Sequence, residues 1–151
     1  MPDHDFRSQR LFVPQDLAEG QVLVLAAEQA HYIANVIRLP VGGALLLFNG
    51  RDGEWQARRV DGGKREVRLE IGAQTRTQPA PLTLTYAFAP LKHARLDYMV
   101  QKAVEMGAGV LAPVLTQHTQ VSRINGERMM ANAIEAAEQC GILSVAEVRQ
   151  P

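Results

Sequence analysis

Leu82 to Leu115, LTLTYAFAPLKHARLDYMVQKAVEMGAGVLAPVL, decides the fold. The stretch opens on an apolar-rich run from Leu82 to Phe88 and closes on another from Val110 to Leu115. Between them Leu96, Met99, Val100, Ala103 and Met106 recur at helical spacing, which predicts a helix over 94–106 with these five residues on its buried face. Gly107 and Gly109 stop that helix. Strand, helix, strand is the unit of a parallel sheet, whose strands read as continuous apolar runs because both faces are covered. A second round follows: a helix from Glu127 to Cys140 with Met130, Ala133, Ile134 and Ala137 inward, Gly141 as its C-cap, and a strand beginning at Val145.

Upstream the pattern changes. Leu11–Val13, Gln21–Leu25, Ala44–Phe48, Glu54–Val60 and Glu66–Ile71 read as five short strands. In the fourth, Trp55 and Ala57 share one face while Glu54, Gln56 and Arg58 share the other; in the fifth, Val67, Leu69 and Ile71 point inward. Asn49-Gly50, Asp52-Gly53 and Asp61-Gly62-Gly63 supply turns. One amphipathic helix over 28–37 buries Ala30, Ile33, Ala34 and Ile37, and Pro40 with Gly42-Gly43 ends it. Short strands at regular spacing with one short helix predict a small β-barrel. Gly72 to Pro81 has no periodicity and carries two prolines, so it reads as a linker. The chain is therefore α+β: a barrel over 1–73, a linker over 74–81, and the first part of a parallel α/β domain over 82–151.

Composition narrows the function classes. The 151 residues are 46% apolar and 21% charged, an ordinary globular balance. Sixteen basic residues offset sixteen acidic ones, which excludes a polybasic arm and an acidic tail. Residues 51–76 hold a local basic surplus of two, seven against five, enough for a patch but not for strong steering. One cysteine, Cys140, excludes an intramolecular disulfide and a multi-Cys zinc site; it reads as a small apolar side chain. His4, His31, His93 and His118 show no metal spacing, and no metal is expected. No apolar run approaches the roughly 18 residues of a membrane span, and the N-terminus lacks a secretory apolar region, so a cytoplasmic location is expected. No internal repeat, P-loop or dinucleotide-binding glycine motif occurs.

Candidate chemistry gathers in the second half. Lys92 follows the Leu82–Phe88 strand at its carboxyl end, where open α/β sheets bind ligands. Asp97, Gln101 and Glu105 form one stripe of the first helix, with Lys102 beside it and His93 a turn earlier. The same spacing suits a solvated helix face. Glu135, Glu138 and Gln139 crowd the end of the second helix, where acids oppose the helix dipole; a packing role, a functional role and a plain surface all fit. In the first half His31 lies at the polar margin of its helix and Arg38 ends it.

Spaced blocks across the chain carry a family resemblance. Arg10-Leu11-Phe12-Val13, the run His31 to Arg38 and Gly42 resemble the opening domain of the bacterial 16S ribosomal RNA uracil-N3 methyltransferases. Lys92, the run Asp97 to Gly107 and Pro113 resemble that family's K…QKxxELG…P segment, and Ala133 to Gly141 with Glu147-Val148 its EAAEQ-C/S-G…PEV segment. The resemblance implies a PUA-like, RNA-binding β-barrel followed by a SPOUT domain. It implies a homodimer that binds S-adenosylmethionine in a knotted loop and methylates N3 of a uridine in small-subunit rRNA. N3 bears a proton, so the reaction needs its loss and a positioned nitrogen. The resemblance places Arg10, His31, Arg38 and Arg58 on an RNA-holding face, where phosphate contacts position the substrate without reading sequence. Lys92, Gln101, Lys102, Glu105, Glu135, Glu138 and Gln139 match motif positions and form the candidate catalytic set, with no base assigned.

Two departures qualify the resemblance. The family's GPEGG-type loop and its L-G-x-x-x-L-R-x-E-T-A-type run lie C-terminal to everything here, so the cofactor site is expected beyond Pro151 and residues 1–151 alone are expected to be inactive. Ala146 stands where the family usually has proline. The expected partner is 16S rRNA or the small ribosomal subunit, with no membrane. A non-catalytic PUA-like RNA-binding module is the rival reading, and a fragment of an unrelated barrel-plus-α/β enzyme is a third.

Overall fold

A computed structural model describes residues 7–62, 66–119, 121 and 123–151. The chain divides into two compact units, Met1–Gln78 and Pro79–Pro151. His4, Gly63, Lys64 and Arg65, which entered the sequence reading, lie outside the described residues.

The first unit contains β1 (Arg10–Phe12), β2 (Val22–Val24), α1 (Ala27–His31), a π-helical turn (Tyr32–Val36), β3 (Ala44–Phe48), β4 (Glu54–Val60) and β5 (Arg68–Arg76). The strands form a half-barrel in the order β1-β3-β4-β5-β2, with β1 and β3 parallel and the other pairs antiparallel. Alternation sets the inner face: Leu69 and Ile71 of β5, Leu45 and Leu47 of β3 and Ala57 of β4 pack with Val13, Ile33 and Val67. The unit's helical segment departs from the expected three α-turns. Only Ala27–His31 is α-helical, and the ladder then widens to π spacing before Arg38 takes a left-handed φ of 53°. Ala30 and Ile33 are buried as expected, with Ala34 and Ile37 packed against them.

One strand expectation is corrected. The supposed linker does not begin at Gly72, because β5 continues to Arg76 while pairing with β4. Glu54 stays on the face of Gln56 and Arg58, since β4 pairs with β3 in unbroken register and sets Glu54 opposite Phe48. It is nonetheless only 2% exposed, with Arg10, Thr75 and Arg76 bonded to it. The register shifts beside Trp55 place their extra residues in β5.

The second unit contains β6 (Leu84–Phe88), α2 (His93–Glu105), β7 (Ala108–Pro113), α3 (Gly126–Cys140) and β8 (Glu147–Val148). The three strands form a parallel sheet in the order β6-β7-β8. Both expected helices are present, and Gly141 caps α3 at φ 66°. Their buried faces differ in detail. On α2, Leu96, Val100 and Val104 are buried, whereas Met106 is 83% exposed. The helix ends at Glu105, so helical projection no longer applies to Met106. On α3, Met129, Ala133, Ala136 and Ala137 are buried. Met130 and Ile134 are half-buried and line an open apolar groove with Ile124 and Val148. The small alanines let α3 pack closely, which turns its inner face about one position from the expected stripe.

Candidate functional site

In the first unit, α1 and the segment after it carry two of the sequence-predicted residues on the surface. His31 is exposed, and its Nδ1 lies 3.0 Å from Asn35 Nδ2 one turn along. Arg38 is exposed at the left-handed position that closes the segment. Non-glycine residues avoid that conformation, and such strain gathers at functional positions. Arg58 is exposed on β4, where Nη1 donates to the Gly42 carbonyl at 3.2 Å; Glu70 stands opposite it on β5. The structure thus ties Arg58 to the loop that follows Arg38.

Arg10 is placed differently. Its side chain is 2% exposed, and Nε donates to Glu54 Oε2 at 2.9 Å. Arg76 also donates to Glu54, as does Thr75 Oγ1 at 2.9 Å. Burial pushes the Glu54 carboxyl up, but the hydrogen bonds from Arg76, Arg10 and Thr75 outweigh it and hold the group below the usual glutamate range. Arg10 was expected on the surface that meets RNA. The ion pair with buried Glu54 holds it away from solvent instead, so its guanidinium is not presented to a ligand. Thr75 and Arg76, which meet Glu54 from β5, lie in the stretch that the sequence reads as linker.

Most of the candidate catalytic set lies on the two helices of the second unit. Gln101 Nε2 donates to Asn132 Oδ1 at 3.1 Å, and Asn132 Nδ2 donates to Asp97 Oδ1 at 3.0 Å. Arg128 completes the cluster with an ion pair to Asp97 at 2.6 Å. Gln101 is therefore engaged in joining α2 to α3. Lys102 pairs with Glu105 at 2.7 Å and lies 5.5 Å from the centre of the Tyr98 ring. The Glu105 hydrogen bond raises the Lys102 ammonium above its usual range. Gln139 Nε2 donates to Glu135 Oε1 at 3.3 Å, while Glu138 is half-buried beside them in sequence. These bonds are local, along or between the helices.

Lys92 lines a cleft. It stands at the N-cap of α2, after β6, in a cavity of about 610 Å³ lined by Ala89, Pro90, Leu91, Lys92, Ala94, Arg95, Thr116, His118 and Thr119. The cavity lies beyond the carboxyl ends of β6 and β7, the place where parallel sheets bind ligands. Arg95 and His118 were not singled out from sequence. The signal was topological: His118 follows β7 as Lys92 follows β6, and parallel pairing brings the two loops side by side. Among the described residues, no group of three or more His, Cys, Asp or Glu gathers as a metal site. No helix among them is long and apolar enough to cross a membrane.

Comparisons with known proteins bear on both units. An RNA methyltransferase PUA domain family matches residues 25–72, and an RNA methyltransferase domain family matches residues 78–151. The chain is 34% identical over 131 residues to ribosomal RNA small subunit methyltransferase E of Rickettsia conorii, covering 86% of this chain and 54% of that protein. It is 24% identical over 149 residues to the Buchnera aphidicola (Acyrthosiphon pisum) protein of the same name, covering 94% and 59%. The chain thus spans a little over half the length of these relatives. Among solved structures, a Legionella pneumophila protein described as a methyltransferase, in complex with the bound cofactor SAM, aligns with a TM-score of 0.85 and 31% identity, over 96% of this chain and 63% of that one. Ribosomal RNA small subunit methyltransferase E of Neisseria gonorrhoeae, bound to S-adenosyl methionine, aligns with a TM-score of 0.82 and 26% identity, over 95% and 61%.

Proposed function

Because the chain belongs to the RNA methyltransferase family, with that family's PUA domain ahead of its methyltransferase domain, we propose that it takes part in S-adenosylmethionine-dependent methylation of N3 of a uridine in 16S rRNA. The carrying observation is that both family domains match in order along one chain whose fold aligns with cofactor-bound relatives at TM-scores of 0.85 and 0.82.

In this reading the first unit holds RNA. Exposed His31, Arg38 and Arg58 supply donors for phosphate oxygens. The second unit orients the target nucleotide. The cofactor supplies an electrophilic methyl group bound to a positively charged sulfur. The cleft of Lys92, Arg95 and His118 does not fit that group, since its lining offers cations and no carboxylate to a sulfonium. The cofactor site is therefore assigned to the GPEGG-type part of the intact enzyme, a homodimer acting on the small subunit in the cytoplasm. No step of methyl transfer is assigned to a residue of this chain.

A direct test uses two proteins: residues 1–151, and the same residues extended by the remaining C-terminal part of the Rickettsia conorii relative. Each is incubated with labelled S-adenosylmethionine and small subunits lacking the modification, and the rRNA is digested for mass spectrometry. The extended protein is expected to produce 3-methyluridine, and residues 1–151 are expected to produce none and to show no stoichiometric cofactor binding by calorimetry. Methylation at another atom overturns the N3 assignment. Tight RNA binding without any methyl transfer by the extended protein favours a non-catalytic RNA-binding module.

A further inference from the structure

The cations of the second unit fall into two groups. Lys102, Arg128 and Arg149 each pair with a carboxylate, Glu105, Asp97 and Glu147 respectively. Lys92, Arg95 and Arg123 have no ion-pair partner among the described residues, and the first two line the 610 Å³ cleft with His118. Among the described residues, no aspartate or glutamate lines that cleft. The first turn of α2 holds no acid either, so the two charges stand where the helix dipole opposes them. Such an arrangement costs stability in the free protein and concentrates positive potential in one concavity. An anion in the cleft relieves both effects.

We propose that this cleft binds a backbone phosphate of the RNA substrate, with Lys92 and Arg95 as its charged ligands and His118 as a hydrogen-bonding partner. The choice of RNA phosphodiester over free phosphate rests on the function proposed above. The charge pattern itself points only to a phosphate-like anion. Arg95 offers a planar fork for two phosphate oxygens and Lys92 a mobile point charge. The cavity is large enough for a phosphate together with its flanking sugar. Lys92 thereby becomes a substrate-positioning residue rather than the base that removes the N3 proton.

The experiment titrates the 151-residue chain with a single-stranded uridine-rich oligoribonucleotide, and separately with inorganic phosphate, at several salt concentrations. The comparison protein is Lys92→Gln/Arg95→Gln, with Arg149→Gln as a charge control outside the cleft. Each phosphate contact on a single strand contributes a slope of about 0.7 to the salt dependence. The double variant is therefore expected to lose about 1.4 from the slope of log K against log salt and about tenfold in affinity near 50 mM salt. Arg149→Gln is expected to change neither. RNA is expected to shift the amide resonances of residues 92–95 and the His118 ring. If the unaltered chain binds RNA and the double variant keeps its slope, the cleft assignment falls while the RNA reading stands. If inorganic phosphate shifts these resonances and RNA does not, the cleft is a free-anion site and the proposal falls. If the unaltered chain binds no RNA, the proposal falls and the RNA-binding role of the first unit falls with it.

Discussion

Arg10 Nε and Glu54 Oε2 lie 2.9 Å apart with both side chains 2% exposed, joining β1 to β4 across the intervening β3. Forty-four residues of sequence separate them. Arg76 and Thr75 of β5 donate to the same carboxylate. One carboxylate thus gathers three strands, and both of its oxygens are used.

That arrangement makes Arg10 a stability residue. Removing one partner of a buried ion pair costs about 3–5 kcal/mol, because the other charge is left buried. Arg76 still faces Glu54 after Arg10→Ala, so the lower end of that range, about 3 kcal/mol, is expected. For a unit of this size that is a fall of more than about 10 °C in melting temperature. Acid should act in the same way. The native Glu54 carboxyl is held below its ordinary value, so its contribution is complete above about pH 4.3 and is lost as pH falls through the depressed native value. Thermal melts from neutral pH downward should show this loss, and Glu54→Gln should flatten it. An Arg10→Ala protein that melts like the parent while losing RNA affinity contradicts this assignment.

Arg38 should behave in the opposite sense. Its φ of 53° costs a non-glycine residue roughly 1 kcal/mol, and its side chain is exposed. Arg38→Gly should therefore raise the stability of the first unit by up to about 1 kcal/mol while weakening RNA binding. Arg38→Ala keeps the strain and should weaken RNA binding with little change in melting temperature. Equal RNA affinity for all three proteins removes Arg38 from the interface.

Sequence and structure agree where local pattern and tertiary environment ask for the same thing. Ala44–Phe48 and Glu54–Val60 form strands with the bounds read from sequence, and the strand–helix–strand grammar of 82–115 yields the parallel sheet. Agreement ends where an element stops elsewhere than the pattern puts its end. β5 continues to Arg76 and brings Thr75 and Arg76 to Glu54, which is buried with Arg10. A helix that stops at Glu105 strands Met106 in solvent. Lys92 was readable as a ligand-side charge because it follows a strand. Arg95 and His118 were not, because their shared cleft exists only once β6 and β7 are paired. Asn132 carried no signal at all, although it holds both Asp97 and Gln101.

Asn132 supplies the next test. It donates to Asp97, accepts from Gln101 and donates to the Arg128 carbonyl at 3.0 Å. Asn132→Ala removes these bonds and leaves part-buried groups short of partners, at an expected cost of about 1–3 kcal/mol to the second unit. Gln101→Ala removes one of them and should cost about 1 kcal/mol. If Gln101 acts only in joining the helices, the extended, active protein carrying Gln101→Ala should keep its kcat once assayed well below its melting temperature. A large fall in kcat at unchanged stability restores Gln101 to the chemistry.

The turn after β3 allows backbone strain to be separated from steric overlap. Gly53 has φ +84°, and a Cβ there would overlap the Arg76 carbonyl and approach Gln74 Nε2 to 2.8 Å. Gly20 has nearly the same φ, +80°, but a Cβ there meets nothing within 4 Å. Alanine at either position bears the left-handed penalty of roughly 1–2 kcal/mol. At Gly20 that penalty is the whole expected effect. At Gly53 the Arg76 carbonyl must also move, and Arg76 is one of the cations that hold Glu54. Gly53→Ala should therefore cost at least about 2 kcal/mol more than Gly20→Ala, since overpacking adds roughly 1–3 kcal/mol and disturbance of the buried ion pair adds to it. The excess should shrink when Glu54 is replaced by Gln, because the displaced strand end then no longer carries a charge partner. Denaturant unfolding of the two single variants and of Gly53→Ala/Glu54→Gln gives the comparison. Equal losses at Gly20 and Gly53 show that the β5 end yields freely and that the Arg76–Glu54 contact does not fix it.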